Sequence, residues 1–348
     1  MRGVVFLGER EIELMQFPDP APGPGEVVVE MKASGMCGSD LHQYRRPKGG
    51  VSVSGLPVNP DPVIAGHEPC GIVAAVGAGV TEKQARLGAR VMVHHYRGCG
   101  VCNHCRSGWS QLCQQEPIAV YGNNAHGGHA RWLKVPAFTL VPLADQLSFT
   151  TGAAIACGTG TAYGALRRMR LSGNDTIAIF GQGPVGLSAT QLAAAMGARV
   201  IAVDPSAERL GRARAFGADA VVDPGRDDPV RAIKDLAHGG ADLTLDTSGA
   251  EAGRLAAVKS AKVWGTVCFV GERGSVTLDV SSDLLRKQLT LIASWTFSSI
   301  GQAECAEFVA ARNIDVDRLF THRWTLDQAA EAYRLFDRQS AGKGVFLM

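Results

Sequence analysis

The densest chemistry in the chain is Cys99-x2-Cys102-x2-Cys105-x7-Cys113. Four thiols packed this closely match a closed tetrahedral four-cysteine site, which zinc fills without redox chemistry and without an open position, so the metal expected here is structural. Closely spaced cysteines also hold iron–sulfur clusters, but no proline follows the fourth cysteine and no second cluster motif exists. A disulfide pair is the plainer alternative. A second set is dispersed: Cys37 in Gly35-Met36-Cys37-Gly38-Ser39-Asp40-Leu41-His42, His67 in Ala65-Gly66-His67-Glu68-Pro69, and Cys157 in Ala156-Cys157-Gly158-Thr159-Gly160. Two thiolates and an imidazole would leave one position of a zinc ion open for water or substrate, as catalysis requires. Spacing alone does not assemble these three, and His67 or Cys157 taken singly reads more readily as a core residue than as a ligand.

A third feature is the turn Gly181-Gln182-Gly183-Pro184-Val185-Gly186, which follows the apolar run Ile177 to Phe180 and opens a helical segment reaching to about Met196. This is G-x-G-x-x-G in its required context: Gly181 for the tight turn, Gly183 for backbone approach to a pyrophosphate, Gly186 for close helix packing, with free helical N–H groups for the phosphates. The next strand ends at Asp204, whose carboxylate can accept from both ribose hydroxyls of an adenosine and would repel a 2′-phosphate, so NAD is expected over NADP. An ordinary strand–helix turn, and a capping role for Asp204 ahead of Pro205-Ser206, are the alternatives. Arg209 is a basic residue that could tolerate NADP, and its offset places it on the exposed face of the next helix.

These residues need two different scaffolds. At 348 residues the chain suggests two domains. The part before about residue 150 carries short β-type runs such as Glu26 to Glu30 and Arg90 to Val93 between Gly and Pro clusters. From Thr176 the pattern alternates apolar strands with helices: Thr176 to Phe180, Arg199 to Val203, Ala220 to Val222, Asp242 to Asp246, Thr266 to Val270 and Leu289 to Ala293, which predicts a parallel sheet covered by helices. Helices are expected at Gln302 to Arg312 and Asp327 to Arg338, and a last strand, Gly344 to Met348, is expected to rejoin the first domain. The net charge of +2 and the absence of a dense basic run argue against nucleic acid and anionic membranes. No run approaches eighteen apolar residues, the N-terminal apolar stretch stops at Leu7, and nine cysteines suit thiols and metal ligands better than a secreted disulfide framework, so a cytoplasmic protein is expected.

Taken together, the Cys-Gly-Ser-Asp-x-His stretch, the Gly-His-Glu stretch, the four-cysteine lobe, Cys157 and the glycine turn with its acid resemble the zinc-containing medium-chain dehydrogenases, the family of alcohol, polyol and threonine dehydrogenases. The resemblance covers essentially the whole chain. It implies an α/β protein with a GroES-like β-rich catalytic domain at 1–155, a Rossmann doubly wound parallel-sheet domain at 156–292, and residues 293–348 returning to the first domain. It further implies NAD as cofactor and two zinc ions per chain, the catalytic one held by Cys37, His67 and Cys157 and the structural one by Cys99, Cys102, Cys105 and Cys113. Glu68 would approach the catalytic metal when substrate or water leaves, and Asp40 would accept the other ring N–H of His67. The zinc would act as a Lewis acid on an alcohol, with Ser39 accepting the proton and His42 passing it to solvent. A turn residue at Ser39 and a surface histidine at His42 are the alternatives.

A cysteine at position 157 leans towards alcohol dehydrogenases proper, and polyol or threonine-type enzymes are the alternative. Gly38 stands where some family members carry a basic residue, which leaves the pyrophosphate to the Gly181–Gly186 turn. His94-His95-Tyr96 falls where the family pocket has an apolar aromatic, so either a polar wall or packing histidines are expected there. Trp295 reads as a lid near the nicotinamide or as core, and the Arg45 to Pro62 segment as the pocket mouth. The expected partner is a small alcohol or carbonyl substrate, with no nucleic acid and no membrane, and family habit implies a homotetramer or a homodimer. Zinc-free quinone or enoyl reductases would lack both cysteine sets and the acid at Asp204, and a non-enzymatic nucleotide-binding relative should have lost its ligands; this chain keeps them all.

Overall fold

Residues 158–297 form one unit built on a six-stranded sheet. The computed structural model describes residues 1–48, 61–338 and 342–348. In this unit the strands run, in spatial order, Ala220–Val222, Arg199–Val203, Thr176–Phe180, Ala241–Asp246, Ala261–Phe269 and Thr290–Ala293, every neighbouring pair parallel. Strand sequences such as Ile177-Ala178-Ile179-Phe180 and Val200-Ile201-Ala202-Val203 are apolar at every position because helices cover both faces, leaving no residue to alternate outward. The order reverses between Thr176–Phe180 and Ala241–Asp246, so the unit is a Rossmann-type doubly wound sheet with its switch point beside the glycine turn. Ala178, Phe180, Ile201, Val203, Val222 and Val267 form the core against Ala257 and Val258 of the helix Glu251–Ser260.

The covering helices begin where their sequences direct. Asp228 caps Pro229–Leu236 by accepting from the N–H groups of Val230 and Arg231, and Ser206 caps Ala207–Ala215 by accepting from Arg209. Ala261–Phe269 starts five residues ahead of the expected Thr266. Lys262, Val263 and Trp264 bulge outward there, Trp264 in a left-handed conformation, and the pairing with Ala241–Asp246 jumps register across them. An exposed bulge carries no burial alternation, so it is invisible in the pattern.

Residues 1–157 and 298–348 form the other unit. Its main sheet runs Phe320–Trp324, Lys343–Leu347, Glu26–Gly35, Glu68–Val76, Arg90–Val93 and Leu140–Pro142, and Trp132–Pro136 also pairs with Glu26–Gly35. The last strand lies antiparallel to Glu26–Gly35 and parallel to Phe320–Trp324, so the end of the chain closes the sheet that carries the early motifs. Phe346 on this strand is fully buried, packed with Phe6, Tyr44, Tyr333 and Phe336 in an aromatic cluster shared with the helix Ala329–Asp337. No helix among the described residues is long and apolar enough to cross a membrane. Phe346→Ala should cost about 3–5 kcal/mol, the range for emptying a buried aromatic site, read as a lowered midpoint in urea unfolding; an unchanged midpoint would mean the C-terminal strand does not anchor this unit.

Candidate active site

Cys37 follows the long strand Glu26–Gly35, Ser39 precedes the short helix Asp40–Arg45, His67 stands immediately before the strand Glu68–Val76, and Cys157 lies just beyond the helix Phe149–Ile155. The fold brings their tips together: one ligand atom each of Cys37, His67, Glu68 and Cys157 lies within 4.8 Å of every other. The Cys37 and Cys157 sulfurs are 3.8 Å apart. A tetrahedral ion bonded at zinc–sulfur distance requires a separation of about 3.8 Å, so the donor types and their spacing fit zinc. Asp40, itself buried, stands 2.8 Å from Nδ1 of His67 through Oδ1 and accepts the Cys37 N–H at 2.8 Å through Oδ2. With Nδ1 engaged, Nε2 is the nitrogen available as a ligand. It faces the Ser39 hydroxyl at 3.2 Å. That hydroxyl makes no capping bond to its own helix.

Protons are shared unevenly within this cluster. The Cys157 hydrogen bond lowers Cys37 well below an ordinary thiol, and the same bond raises Cys157 well above it. Burial opposes a charge on His67, but Asp40 and the Cys37 sulfur outweigh it and raise its pKa. Glu68, fully buried, is pushed up to about 8 by desolvation against the pull of Lys343. Lys343 Nζ lies 2.6 Å from Glu68 Oε2 and donates to the Met36 carbonyl at 2.9 Å. Its burial favours a neutral amine, but the facing Glu68 carboxylate and the two thiols outweigh that and raise it. A dication among these donors takes the place of protons, so the site's affinity for metal must rise with pH.

The four-cysteine lobe is assembled locally. One sulfur of each cysteine lies within 4.8 Å of the others, with Cys99 to Cys105 at 3.9 Å and Cys102 to Cys113 at 4.0 Å. All four are free thiols. Backbone N–H groups serve the sulfurs: Cys102 N–H donates to Cys99 Sγ at 3.3 Å, and Cys99 N–H to Cys113 Sγ at 3.4 Å. Such donors stabilise thiolates, and those of Cys99, Gln115 and Glu116 bring Cys113 down to about 6. Gly98 leaves room for the knot, since a Cβ there would lie 2.7 Å from Cys105 Sγ.

At the glycine turn Gly181 takes a φ of +87°, open to glycine at no steric cost. A Cβ on Gly186 would sit on the Gly181 carbonyl oxygen, whereas a Cβ on Gly183 would meet nothing within 4 Å. The crowded glycine packs helix on strand and the open one leaves its face clear for a ligand, the division of roles expected of a dinucleotide turn. Gly183 and Pro184 start the helix Pro184–Ala195 with no side chain capping its N–H groups, and Val185 lies in its first turn. Gln182 turns inward, donating to the Ile179 carbonyl at 3.0 Å and accepting from Thr190 at 2.9 Å. Asp204 accepts the Gln182 N–H at 2.7 Å and the Ser206 N–H at 2.8 Å, so it braces the turn itself.

Several expectations change at this level. Arg209 is not on an outward face: its guanidinium lies 3.7 Å from the Asp204 carboxylate, drawn in by that buried charge. Ser206, not Asp204, caps the helix Ala207–Ala215. His94 and His95 are both buried; His95 packs edge-on to His67 with ring centres 5.2 Å apart and holds the Ala156 carbonyl at 2.8 Å through Nδ1, while burial lowers His94 to about 4. Trp295 is not core, being 41% exposed with its indole N–H donated to Glu272 at 2.7 Å. His42 is half-buried on the helix Asp40–Arg45, one turn from Ser39. Of the proposed pocket-mouth segment Arg45 to Pro62, residues 49–60 lie outside the described residues.

Lys343, Tyr333 and Thr247 were missed. Thr247 pins the glycine turn by donating to the Gly181 carbonyl at 2.7 Å. Lys343 stands just ahead of the strand expected at Gly344 to Met348, and the observed strand Lys343–Leu347 takes it in. Lys343→Met should leave the Glu68 carboxyl buried without its cation and cost about 3–5 kcal/mol in urea unfolding of the metal-free protein. The double variant with Glu68→Gln should recover part of it, and equal losses in single and double variants would show that the pair is not coupled.

Residues 23–145 match the alcohol dehydrogenase GroES-like domain and residues 184–312 the zinc-binding dehydrogenase family. The zinc-type alcohol dehydrogenase-like protein YphC of Escherichia coli K12 is 40% identical over 99% of this chain and 98% of its own. An alcohol dehydrogenase of Geobacillus stearothermophilus is 36% identical over 77% of this chain and 76% of its own. The solved alcohol dehydrogenase TADH from Thermus sp. ATN1 superposes with a TM-score of 0.90 at 30% identity, covering 100% of this chain and 99% of that one. With a GroES-like unit carrying a cysteine–histidine cluster, a Rossmann-type unit carrying a glycine turn, and these relatives, the chain belongs to the zinc-dependent medium-chain dehydrogenase family of oxidoreductases.

Proposed function

We propose that this protein is an NAD-linked alcohol dehydrogenase holding two zinc ions, one catalytic at Cys37, His67 and Cys157 and one structural at Cys99, Cys102, Cys105 and Cys113. The observation that carries the reading is the convergence of two thiols and an imidazole within 4.8 Å of one another, beside a serine hydroxyl that no helix cap consumes. When bound, zinc supplies a Lewis acid that lowers the pKa of a substrate alcohol, and NAD accepts its hydride. With His67 Nε2 serving as a ligand, the Ser39 hydroxyl would be free to accept a proton from the substrate oxygen while giving up its own, and His42, on the helix Asp40–Arg45, is the group that would exchange a proton with solvent. Asp40 holds the His67 ring in one orientation throughout. Glu68, kept in place by Lys343, stands at the edge of the ligand set, within reach of the metal when a ligand departs.

Gly181, Gly183, Pro184, Val185 and Gly186 are the proposed pyrophosphate cradle and Asp204 the proposed ribose acceptor. Two backbone bonds leave Asp204 lone pairs to spare for a hydroxyl. Its charge disfavours a 2′-phosphate, and Arg209 tempers that discrimination. The substrate is an alcohol or its carbonyl, acted on by a cytoplasmic homo-oligomer.

Elemental analysis should give about two zinc per chain, with NADH formed from at least one member of a panel of short alcohols, polyols and hydroxy acids; a single zinc, or no turnover of any member, would count against the reading. Ser39→Ala should lower kcat by about 10²–10⁴-fold, the range for a positioned proton acceptor, with both zincs retained. Asp204→Ala should narrow the preference for NAD over NADP, and an unchanged ratio would remove the ribose assignment. Cys99→Ser should lose one zinc and thermal stability, whereas a variant melting like the parent would refute a structural metal.

A further inference from the structure

Behind the His67–Asp40 pair the hydrogen bonds continue through groups that no ligand set accounts for. Tyr333, on the helix Ala329–Asp337, donates its hydroxyl to Asp40 Oδ2 at 3.1 Å. The same hydroxyl lies 2.8 Å from His129 Nε2, and His129 Nδ1 lies 2.7 Å from Ser34 Oγ. Ser34, Asp40, His129 and Tyr333 are all buried. Proton directions along this chain follow by elimination. Tyr333 has one O–H and spends it on Asp40, so towards His129 it can only accept, and Nε2 of His129 must carry the hydrogen. Burial lowers His129 to about 4, which keeps the ring neutral, so its Nδ1 is an acceptor and takes the Ser34 O–H. The bonds therefore all point one way, from Ser34 through His129 and Tyr333 into the Asp40 carboxylate.

His129 also holds the other side of His67. Its N–H donates to the Ala65 carbonyl at 2.9 Å, and the neighbouring Gly128 N–H donates to the Gly66 carbonyl at 2.7 Å. Gly66 has a φ of +91°, and a Cβ there would run into the His129 ring. The imidazole thus packs flat against the backbone that leads into His67, while its Nε2 reaches, through Tyr333, the carboxylate that orients the His67 ring.

We infer that His129 and Tyr333 are positioning residues for the candidate catalytic zinc, fixing His67 from its backbone and from its Nδ1 partner together. This rests on the reading of Cys37, His67 and Cys157 as zinc ligands. Outer partners of metal-bound histidines contribute about 10–100-fold to affinity, and a relay acting through Asp40 should fall towards the lower end.

The test is zinc release from the holoenzyme to a colorimetric chelator, resolved into two phases, with thermal unfolding recorded on the same samples. Tyr333→Phe, which removes one oxygen and keeps the ring, should speed release of one zinc about tenfold and leave the other unchanged. His129→Leu should do the same, and His129→Gln, whose amide can donate from near the Nε2 position, should restore release at least partly. Phe336→Leu, which packs on Tyr333 without a hydrogen bond, serves as the packing control and should lower the melting temperature without speeding release. Parental release from Tyr333→Phe, equal release from the Gln and Leu variants, or release from Phe336→Leu as fast as from Tyr333→Phe would each overturn the inference. A parent protein holding a single zinc would instead overturn the ligand assignment on which it stands.

Discussion

The Asp40 carboxylate is the interaction on which this site depends. It is 3% exposed and receives the Cys37 N–H, the Tyr333 hydroxyl and the Nδ1 side of His67, three groups from widely separated parts of the chain. A buried carboxylate is tolerable only when its lone pairs are met in this way. Each of those partners is in turn fixed by it: the loop carrying one thiol, the ring carrying the imidazole ligand, and the C-terminal helix. Around it the donors converge: one ligand atom each of Cys37, His67, Glu68 and Cys157 lies within 4.8 Å of every other, and Lys343 faces Glu68 from the buried side. Sulfur, nitrogen and oxygen donors gathered this closely are arranged for a cation, which would displace the protons they share.

The Rossmann-type unit solves a different problem with a similar device. Asp204 is 2% exposed and accepts backbone N–H groups from Gln182 and Ser206. It therefore shapes the glycine turn before it recognises anything. Gln182, the intervening residue of the motif, is buried and bonded within the unit, so the outer face of the turn at Gly183 is left clear. Thr247, at the end of the neighbouring strand across the switch point, clamps the turn from the other side. A cofactor site here would be held by rigid backbone, with few side chains to reorganise.

What the sequence revealed follows the range over which each feature is encoded. Each of the six parallel strands is legible in its own few residues, and the glycine turn with Asp204 and the four-cysteine lobe are each complete within a few tens of residues, so periodicity and spacing suffice to find them. The gathering of Cys37, His67 and Cys157 came only from family resemblance, because nothing local to Cys157 announces a neighbour 120 positions away. Tyr333 and Lys343 were invisible for the same reason. One looks like an ordinary aromatic of an amphipathic helix, and the other reads as the flank of the final strand. Arg209 was misplaced because helical offset gives the direction in which a side chain leaves the backbone, not the buried charge that bends it back. The early start of Ala261–Phe269 was missed because its bulge exposes three successive residues.

The two cysteine sets also differ in what shapes them without metal. In the lobe, the sulfurs are held by N–H groups of their own short loop, and little else in the unit reaches them. Four thiolates brought this close would repel one another unless an ion neutralised them, so a metal held here would be coupled to the local fold. The other cluster is framed from outside itself, by Asp40, Tyr333, Lys343 and the strand beneath them, which are bonded to one another and to backbone of the same unit. Its shape belongs to the fold of the whole unit. That division suits the proposed roles, since a site that must exchange ligands and admit substrate cannot also be the element whose occupancy holds its own walls together.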